Sequence, residues 1–349
     1  MRLEPKPAPS LAVLLLFPLG AIGATLVITA LLVLAAGASP FSVFSLVLKG
    51  AAGSQFAALE TLTRATPLIF TGLAVAVAFR AKLWNIGAEA QLYIGAVVTV
   101  VLGTGALPLP SVLLLPAIAI SAMAAGALLL LGPAVLKTRL GVDEVVTTLL
   151  LNFIVLLFVS MLLEGPLKDP MGLGWPQSPK VIADAQLPRI IRGKRLHYGF
   201  VLALISAVAV WVMMKKTALG YEMRAVGHNR EAARFAGIPV DPVLAKTALL
   251  SGGLAALAGF SEVAGLKGNL TLDLSPGYGY SGIVVAMLAM LNPLGVVVSA
   301  IFVAGIFVGA DAMSRSAGVP SYIADVMTAT ALLTMVTAIL LTRFRVRWK

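Results

Sequence analysis

The feature that most constrains this chain is the recurrence of apolar runs about 20 residues long, each bounded by a few charged, glycine or proline residues. A helix needs about that length to cross the hydrocarbon core of a bilayer. Counting on this basis predicts about ten spans, at roughly 11–36, 61–79, 86–104, 111–132, 145–163, 198–214, 246–264, 280–291, 295–311 and 322–342. The eighth is too short to cross alone and is cut off by Asn292-Pro293. It reads as a half-helix, which is tolerated only where protein or a water-filled cavity covers its free backbone groups. The stretch from Pro40 to Glu60, broken by Lys49, Gly50 and Gly53, reads as a re-entrant or interfacial piece.

Composition agrees. Only 12% of the 349 residues are charged and 59% are hydrophobic, with a mean hydropathy of +0.99; a soluble domain is about 25% charged. The expected fold is an all-α integral membrane protein, a single domain over residues 1–349, with no polar run long enough for a built-in motor or receptor. The net charge of +11 follows from basic residues flanking spans, so membrane lipid is expected as a partner and nucleic acid is not. With no cysteine, disulfides, thiol nucleophiles and Cys-ligated metals are excluded. The run from Leu11 to Ala36 exceeds a signal-peptide core and reads as a retained first span.

Most of the 26 Lys and Arg fall on one side if both termini are cytoplasmic. The short loops at Arg80–Lys82 and Lys137–Arg139 and the tail RFRVRWK carry that bias. The basic, proline-containing segment 164–198 dissents and is placed outside; loops so long are usually functional or flexible.

No HExxH, GxSxG, metal-diphosphate aspartate pair or GxxxxGK[ST] motif occurs, so neither a membrane enzyme nor direct ATP use is expected. Leu250-Ser251-Gly252-Gly253 spells the start of an ABC ATPase signature, but it opens an apolar helix in which small residues let helices pack closely. If a helix begins near Asn85, then Asn85, Glu89 and Tyr93 share one face, with Gln91 well round from it. A carboxylate in a span costs roughly 2.5–3.5 kcal/mol and usually faces a bundle interior or a water-filled path. The stripe is therefore either a substrate pathway or a capped helix start. Thr148 and Asn152 make a second polar pair, for a pathway or for interhelical hydrogen bonds. Glu262, Asp311 and Asp325 read as interfacial, and Tyr278 and Tyr280 as aromatics beside a glycine-rich turn.

Between two apolar segments lies a polar interruption from Lys215 to Lys246. Within it Asn229 is a candidate N-cap, Gly237 a left-handed terminator and Pro239 a stop, which predicts about two turns of helix over REAARFA. So short a helix needs a surface to pack on, supplied in part by a partner protein.

Three motifs in order carry a family resemblance. Thr217 to Asn229, continuing through Ala232-Ala233 to Gly237-Ile238, resembles the coupling loop of ABC importer permeases of the branched-chain amino acid and simple-sugar class. FRAKLWNIGAEAQLYIGA and VLKTRLGVDEVVTTLLLNFI resemble the nucleoside-type subgroup, and the likeness runs from about Ala65 to Leu341. It implies a type II permease in a bacterial cytoplasmic membrane with both termini cytoplasmic. It also implies cytoplasmic ABC ATPase subunits that use the ATP, an extracytoplasmic substrate-binding lipoprotein and a second permease subunit, commonly a different chain. This chain, with its longer outer loop, resembles the larger of the two. Gly220, Tyr221, Arg224, Gly227, Asn229, Arg230, Ala232, Ala233, Arg234 and Gly237 would form the coupling surface. There Ala232 and Ala233 would allow close approach, and Arg224, Arg230 and Arg234 would pair with acidic groups. The expected cargo is a nucleoside; the rivals are a simple sugar, carried by the same class of permease, and an ion-coupled secondary transporter.

Overall fold

The computed structural model describes residues 2–5, 11–35, 37, 39–107, 109–317 and, beyond these, 326, 329–330, 333–334, 337–338 and 344–347. The expected last span at 322–342 lies largely outside the described residues, as does Asp325. The described residues are mostly helical, in two compact units: Met1–Thr61 with Phe302–Lys349, and Leu62–Ile301.

In the first unit, α1 (Leu11–Ala35) is followed by α2 (Pro40–Ala52), which bends away by 116°. Gly50, read from sequence as a break, lies inside α2. A side chain there would collide with Ala312 and the backbone of Gly309, and Gly309 in turn lies against the backbone of Val47. The two glycines thus let α2 and α12 (Pro293–Ala317) touch backbone to backbone, and Val33, Val43, Val47 and Met313 close the core around them. Strands β1 (Arg2–Pro5) and β2 (Phe344–Arg347) pair antiparallel and bring the two ends of the chain side by side.

The second unit contains most of α3 (Gln55–Arg80), then α4 (Ala88–Gly103), α5 (Ser111–Leu140), α6 (Glu144–Glu164) and α7 (Gly199–Lys216). After them come α8 (Ala218–His228), α9 (Arg230–Phe235), α10 (Val240–Glu262) with a π-helical turn Val263–Lys267, and α11 (Tyr278–Leu288). Helix α10 packs chiefly on α5 and α4. Its small residues explain why: Gly252 meets the backbone of Gly126, and Gly259 that of Leu92, so closely that neither has room for a Cβ. The LSGG of the sequence is this packing seam. By contrast α6 turns Phe153, Ile154, Leu157 and Met161 outward, an apolar face suited to lipid.

Among the described residues six helices are long and apolar enough to cross a membrane: α3, α5, α6, α7, α10 with its π turn, and α12. Counting the bent α1–α2 pair as one span makes seven, and α4 and α11 are shorter apolar helices. Helix α10 begins at Val240 and absorbs the end of the expected 215–246 loop, from Val240 to Lys246, because Pro239 can precede a helix although it cannot continue one.

Segment 165–198 is irregular but tied down. Ser178 N–H donates to the Leu270 carbonyl (3.0 Å), Val181 N–H to Gly268 (2.8 Å), Ile182 N–H to Gly103 (2.8 Å) and Leu187 N–H to Ala264 (2.7 Å). It lies as a strap over the ends of α4 and α10. His197 anchors it, fully buried against Gly199 and Gly265, with Nδ1 accepting from Gly199 N–H at 3.1 Å. Burial, helped by the charge of Arg189, pushes the His197 imidazole down to about 4, so it sits there neutral.

Candidate functional site

Two interrupted helices meet in the second unit, and the polar residues of the sequence are gathered where their backbones lack partners. After α3 the chain leaves helix at Ala81, passes through Lys82 in a left-handed conformation (φ 52°) and stays non-helical until α4 starts at Ala88. A helix start leaves its first N–H groups without intrahelical acceptors. Here side chains supply acceptors both along the non-helical approach and, at Ala90, in the first turn of α4. Glu144 Oε1 accepts from Trp84 N–H (3.2 Å) and is also salt-bridged by Lys137. Thr148 Oγ1 accepts from Ile86 N–H (3.1 Å), Asn85 Oδ1 from Gly87 N–H (3.0 Å) and Asn152 Oδ1 from Ala90 N–H (2.9 Å). Asn152 Nδ2 reaches the Ile86 carbonyl and the Tyr280 hydroxyl, each at 3.0 Å. Asn85 and Gln91 exchange two amide hydrogen bonds at 2.9 Å, and Asn85 Nδ2 also donates to Ser251 Oγ at 3.0 Å.

The second interruption is the non-helical stretch before α11. Gly279 N–H donates to Glu89 Oε2 at 2.6 Å, so the Glu89 carboxylate caps the positive end of α11. Tyr93 Oη donates to the Leu272 carbonyl (2.6 Å) and accepts from Ser275 N–H (3.3 Å). Thr71 Oγ1 donates to the Tyr278 carbonyl at 3.0 Å. Gly279 has no room for a Cβ because the backbone of Ala88 and Glu89 fills that space. This is how an 11-residue helix is accommodated in an apolar interior: its free backbone groups are covered by protein.

The single helical stripe expected through Asn85, Glu89 and Tyr93 is corrected by this geometry. The helix begins three residues late, so Asn85 lies before it and pairs with Gln91, the residue read as facing away. Glu89 and Tyr93 do share a face of α4, toward α11 and the stretch before it. All five pathway candidates, Asn85, Glu89, Tyr93, Thr148 and Asn152, are buried.

At the other candidate surface, Thr217 caps α8, with Oγ1 accepting from Gly220 N–H at 3.2 Å. Asn229 caps α9, its Oδ1 accepting from Glu231 N–H (3.0 Å) and Ala232 N–H (3.1 Å). At the far end Gly237 is left-handed (φ 82°) and donates to Arg234 O, while Ile238 N–H reaches Ala233 O, each at 3.0 Å; this pair is the Schellman arrangement. Gly220 lies on the backbone of Met213 and Met214 without room for a Cβ, and Gly227 lies equally close to Arg80 and Ala81. Arg230 Nη2 donates to the Lys82 carbonyl at 3.0 Å. The α8–α9 segment is therefore fastened to the turn that leads into α4.

Comparison with known proteins decides the family. Residues 57–342 match the family described as branched-chain amino acid transport system / permease component. The chain belongs to this family of permeases. Among its relatives, the guanosine ABC transporter permease NupP of Bacillus subtilis is 37% identical, over 91% of this chain and 92% of that one. The glucose ABC transporter permease TsgB13 of Haloferax volcanii is 35% identical over 93% and 87%, and the nucleoside ABC transporter permease NupB of Lactococcus lactis is 30% identical over 90% and 88%. No solved structure matches the chain.

In this multi-pass permease the coupling candidates divide by exposure. Ala232, Arg234 and Tyr221 face outward, but Ala233 is only 4% exposed, so its small size serves packing within the chain and not close approach by a partner. Arg224 and Arg230 spend hydrogen bonds on the carbonyls of Met214 and Lys82, while Arg234 stays exposed, 3.8 Å from Asp241. Phe235, which the capping pattern gave no reason to single out, is 97% exposed at the end of α9. Gln91, Ser251, Glu144 and Tyr280 were also missed as members of the polar cluster. For Ser251, Glu144 and Tyr280 the signal is weak because partners far apart in sequence leave no spacing pattern; Gln91 is missed because Asn85, six residues before it, lies outside the helix. Glu262, read as interfacial, is 1% exposed within α10.

Proposed function

We propose that this permease is the membrane subunit of an ATP-driven importer for nucleosides, with ATP bound and hydrolysed by a separate cytoplasmic ATPase. About ten spans would be made by the six long helices, α1, α4, α11 and the last apolar run. The β1–β2 ribbon supports placing both termini on one face, and the short basic loops support calling that face cytoplasmic. The 164–198 strap then faces outward, where a substrate-binding lipoprotein would deliver cargo. A second permease subunit would complete the pathway.

The observation that carries this reading is α9: capped at both ends, presenting an exposed Phe235, and bound through its Arg230, with Gly227 of α8, to the Arg80–Lys82 turn. A docked ATPase moving α8–α9 would pull on that turn, and the next residues are those held by Glu144, Thr148 and Asn152 at the head of α4. Coupling is thus a bias on the packing of α4 against α11, supplied by a partner. Asn85, Glu89, Tyr93, Thr148 and Asn152 would shape the walls of the pathway, because their polar atoms are already engaged.

The test is uptake by proteoliposomes containing the permease, its ATPase and its permease partner. ATP-dependent accumulation of labelled guanosine is expected, and uptake without ATPase would sink the reading in favour of an ion-coupled carrier. The second reading, a sugar permease, is favoured by the glucose-named relative; competition of labelled guanosine with glucose and a pentose separates the two. Wild-type uptake by both Glu89→Gln and Asn85→Ala would remove those residues from the pathway.

A further inference from the structure

Where α7 gives way to α8 and the α11–α12 turn folds back, the permease contains a cavity of about 780 Å³. Arg80, Lys215, Lys216 and Arg224 line it, and among the described residues no carboxylate does. Arg80 Nη2 is held by the Leu291 carbonyl at 3.0 Å and Arg224 by the Met214 carbonyl, so both guanidiniums are fixed in place with donors to spare. The two carry like charge in the lining of the same cavity. None of the four cations is ion-paired among the described residues. The general preference for basic residues at span ends accounts for cations spread into water; it does not account for four of them converging on one cavity without a counter-charge.

The cavity is also apolar on one side. Trp211 lies in its wall with the Lys215 ammonium 5.2 Å from the ring centroid, and Val298, another wall residue, is 70% exposed. A small hydrophilic anion would gain nothing from that wall. A ligand with a phosphate at one end and hydrocarbon at the other would use both parts.

We infer that this cavity holds the phosphate of an anionic phospholipid, its acyl chains descending along Trp211 and Val298. A zwitterionic lipid fits less well, because its own cation would lie among the four of the protein. The inference rests on the reading of the chain as a multi-pass permease with the α7–α8 junction at the cytoplasmic leaflet, where anionic headgroups attract basic groups. Bound there, the lipid offsets the like charges of Arg80 and Arg224 and steadies the junction from which α8 departs.

Native mass spectrometry of the purified full-length permease tests this, with phosphatidylglycerol, phosphatidylcholine and inorganic phosphate as probes. Phosphatidylglycerol is expected to be retained at least about tenfold better than phosphatidylcholine, and millimolar inorganic phosphate should not displace it. Both lysines are surface-exposed, so Lys215→Gln with Lys216→Gln should fold, and it should weaken phosphatidylglycerol retention about thirtyfold. Lys215→Arg with Lys216→Arg should restore it. Equal retention of the two lipids, or undiminished binding in the glutamine variant, overturns the inference; displacement by inorganic phosphate reassigns the cavity to a free anion. ATP-driven uptake by the wild-type assembly is scored separately, so failure of lipid binding with intact uptake refutes only this inference, and absent uptake refutes the functional reading.

Discussion

The head of α4 and the α8–α9 segment are both polar interruptions in an apolar chain, and both solve the same problem, free backbone groups at a helix start. They solve it in opposite ways. At α9 the cap is local: Asn229 serves the helix it precedes, and Gly237 ends it. At α4 and α11 remote groups take part: Asn152 of α6 caps α4 and Thr148 of α6 holds the turn before it, while Glu89 of α4 joins the local Ser275 in capping α11. Local capping leaves a helix free to face outward and receive a partner. Remote capping binds several helices into one unit, so that displacing one disturbs the others.

The largest test of that contrast is Asn152→Leu. It keeps the volume but strands Ala90 N–H and the Ile86 carbonyl in an apolar setting, and should cost about 3 kcal/mol, read as a lowered thermal midpoint in detergent. A neutral result would break the claim that the cluster carries structural weight. Next, Phe235→Ala should leave that midpoint within about 0.5 kcal/mol, yet weaken assembly with the ATPase by about 2 kcal/mol, as an exposed aromatic anchor does; pull-down titration measures it. Unchanged assembly would remove α9 as the docking surface. Asn229→Ala should cost about 1 kcal/mol, confined to α9, and hydrogen exchange should show faster opening there and nowhere in α4. Smallest of all, Tyr280→Phe removes one acceptor from Asn152, whose amide keeps the Ile86 carbonyl, and should change stability by under about 1 kcal/mol. A large fall in uptake from that variant would make the Tyr280 hydroxyl part of the pathway and not of the scaffold.

The Lys215–Lys246 segment shows where sequence reading succeeds. The α9 caps are made by residues within a few positions of one another, so Asn229, Gly237 and Pro239 announce the helix before any fold is known. The α4 start shows where it fails. Helical spacing places Asn85, Glu89 and Tyr93 on one stripe, but spacing applies only inside a helix, and nothing near Asn85 reveals that the helix waits until Ala88. Ala233 makes a related point: its small side chain is plain in the sequence, and whether it makes room for a partner or for its own chain depends on which way α9 lies.

By itself, then, the sequence determined the membrane setting, the predominantly helical class, the capped α9 and the family likeness, because hydropathy, helix caps and short motifs are properties of neighbouring residues. Tertiary structure alone decided that Gln91 pairs with Asn85, that Glu89 caps α11, that segment 165–198 is a strap pinned by its own backbone, and that four cations share one cavity. Those are relations between separate elements of the fold or across the break before α4, and in a bilayer interior they are set by which buried polar groups must find partners.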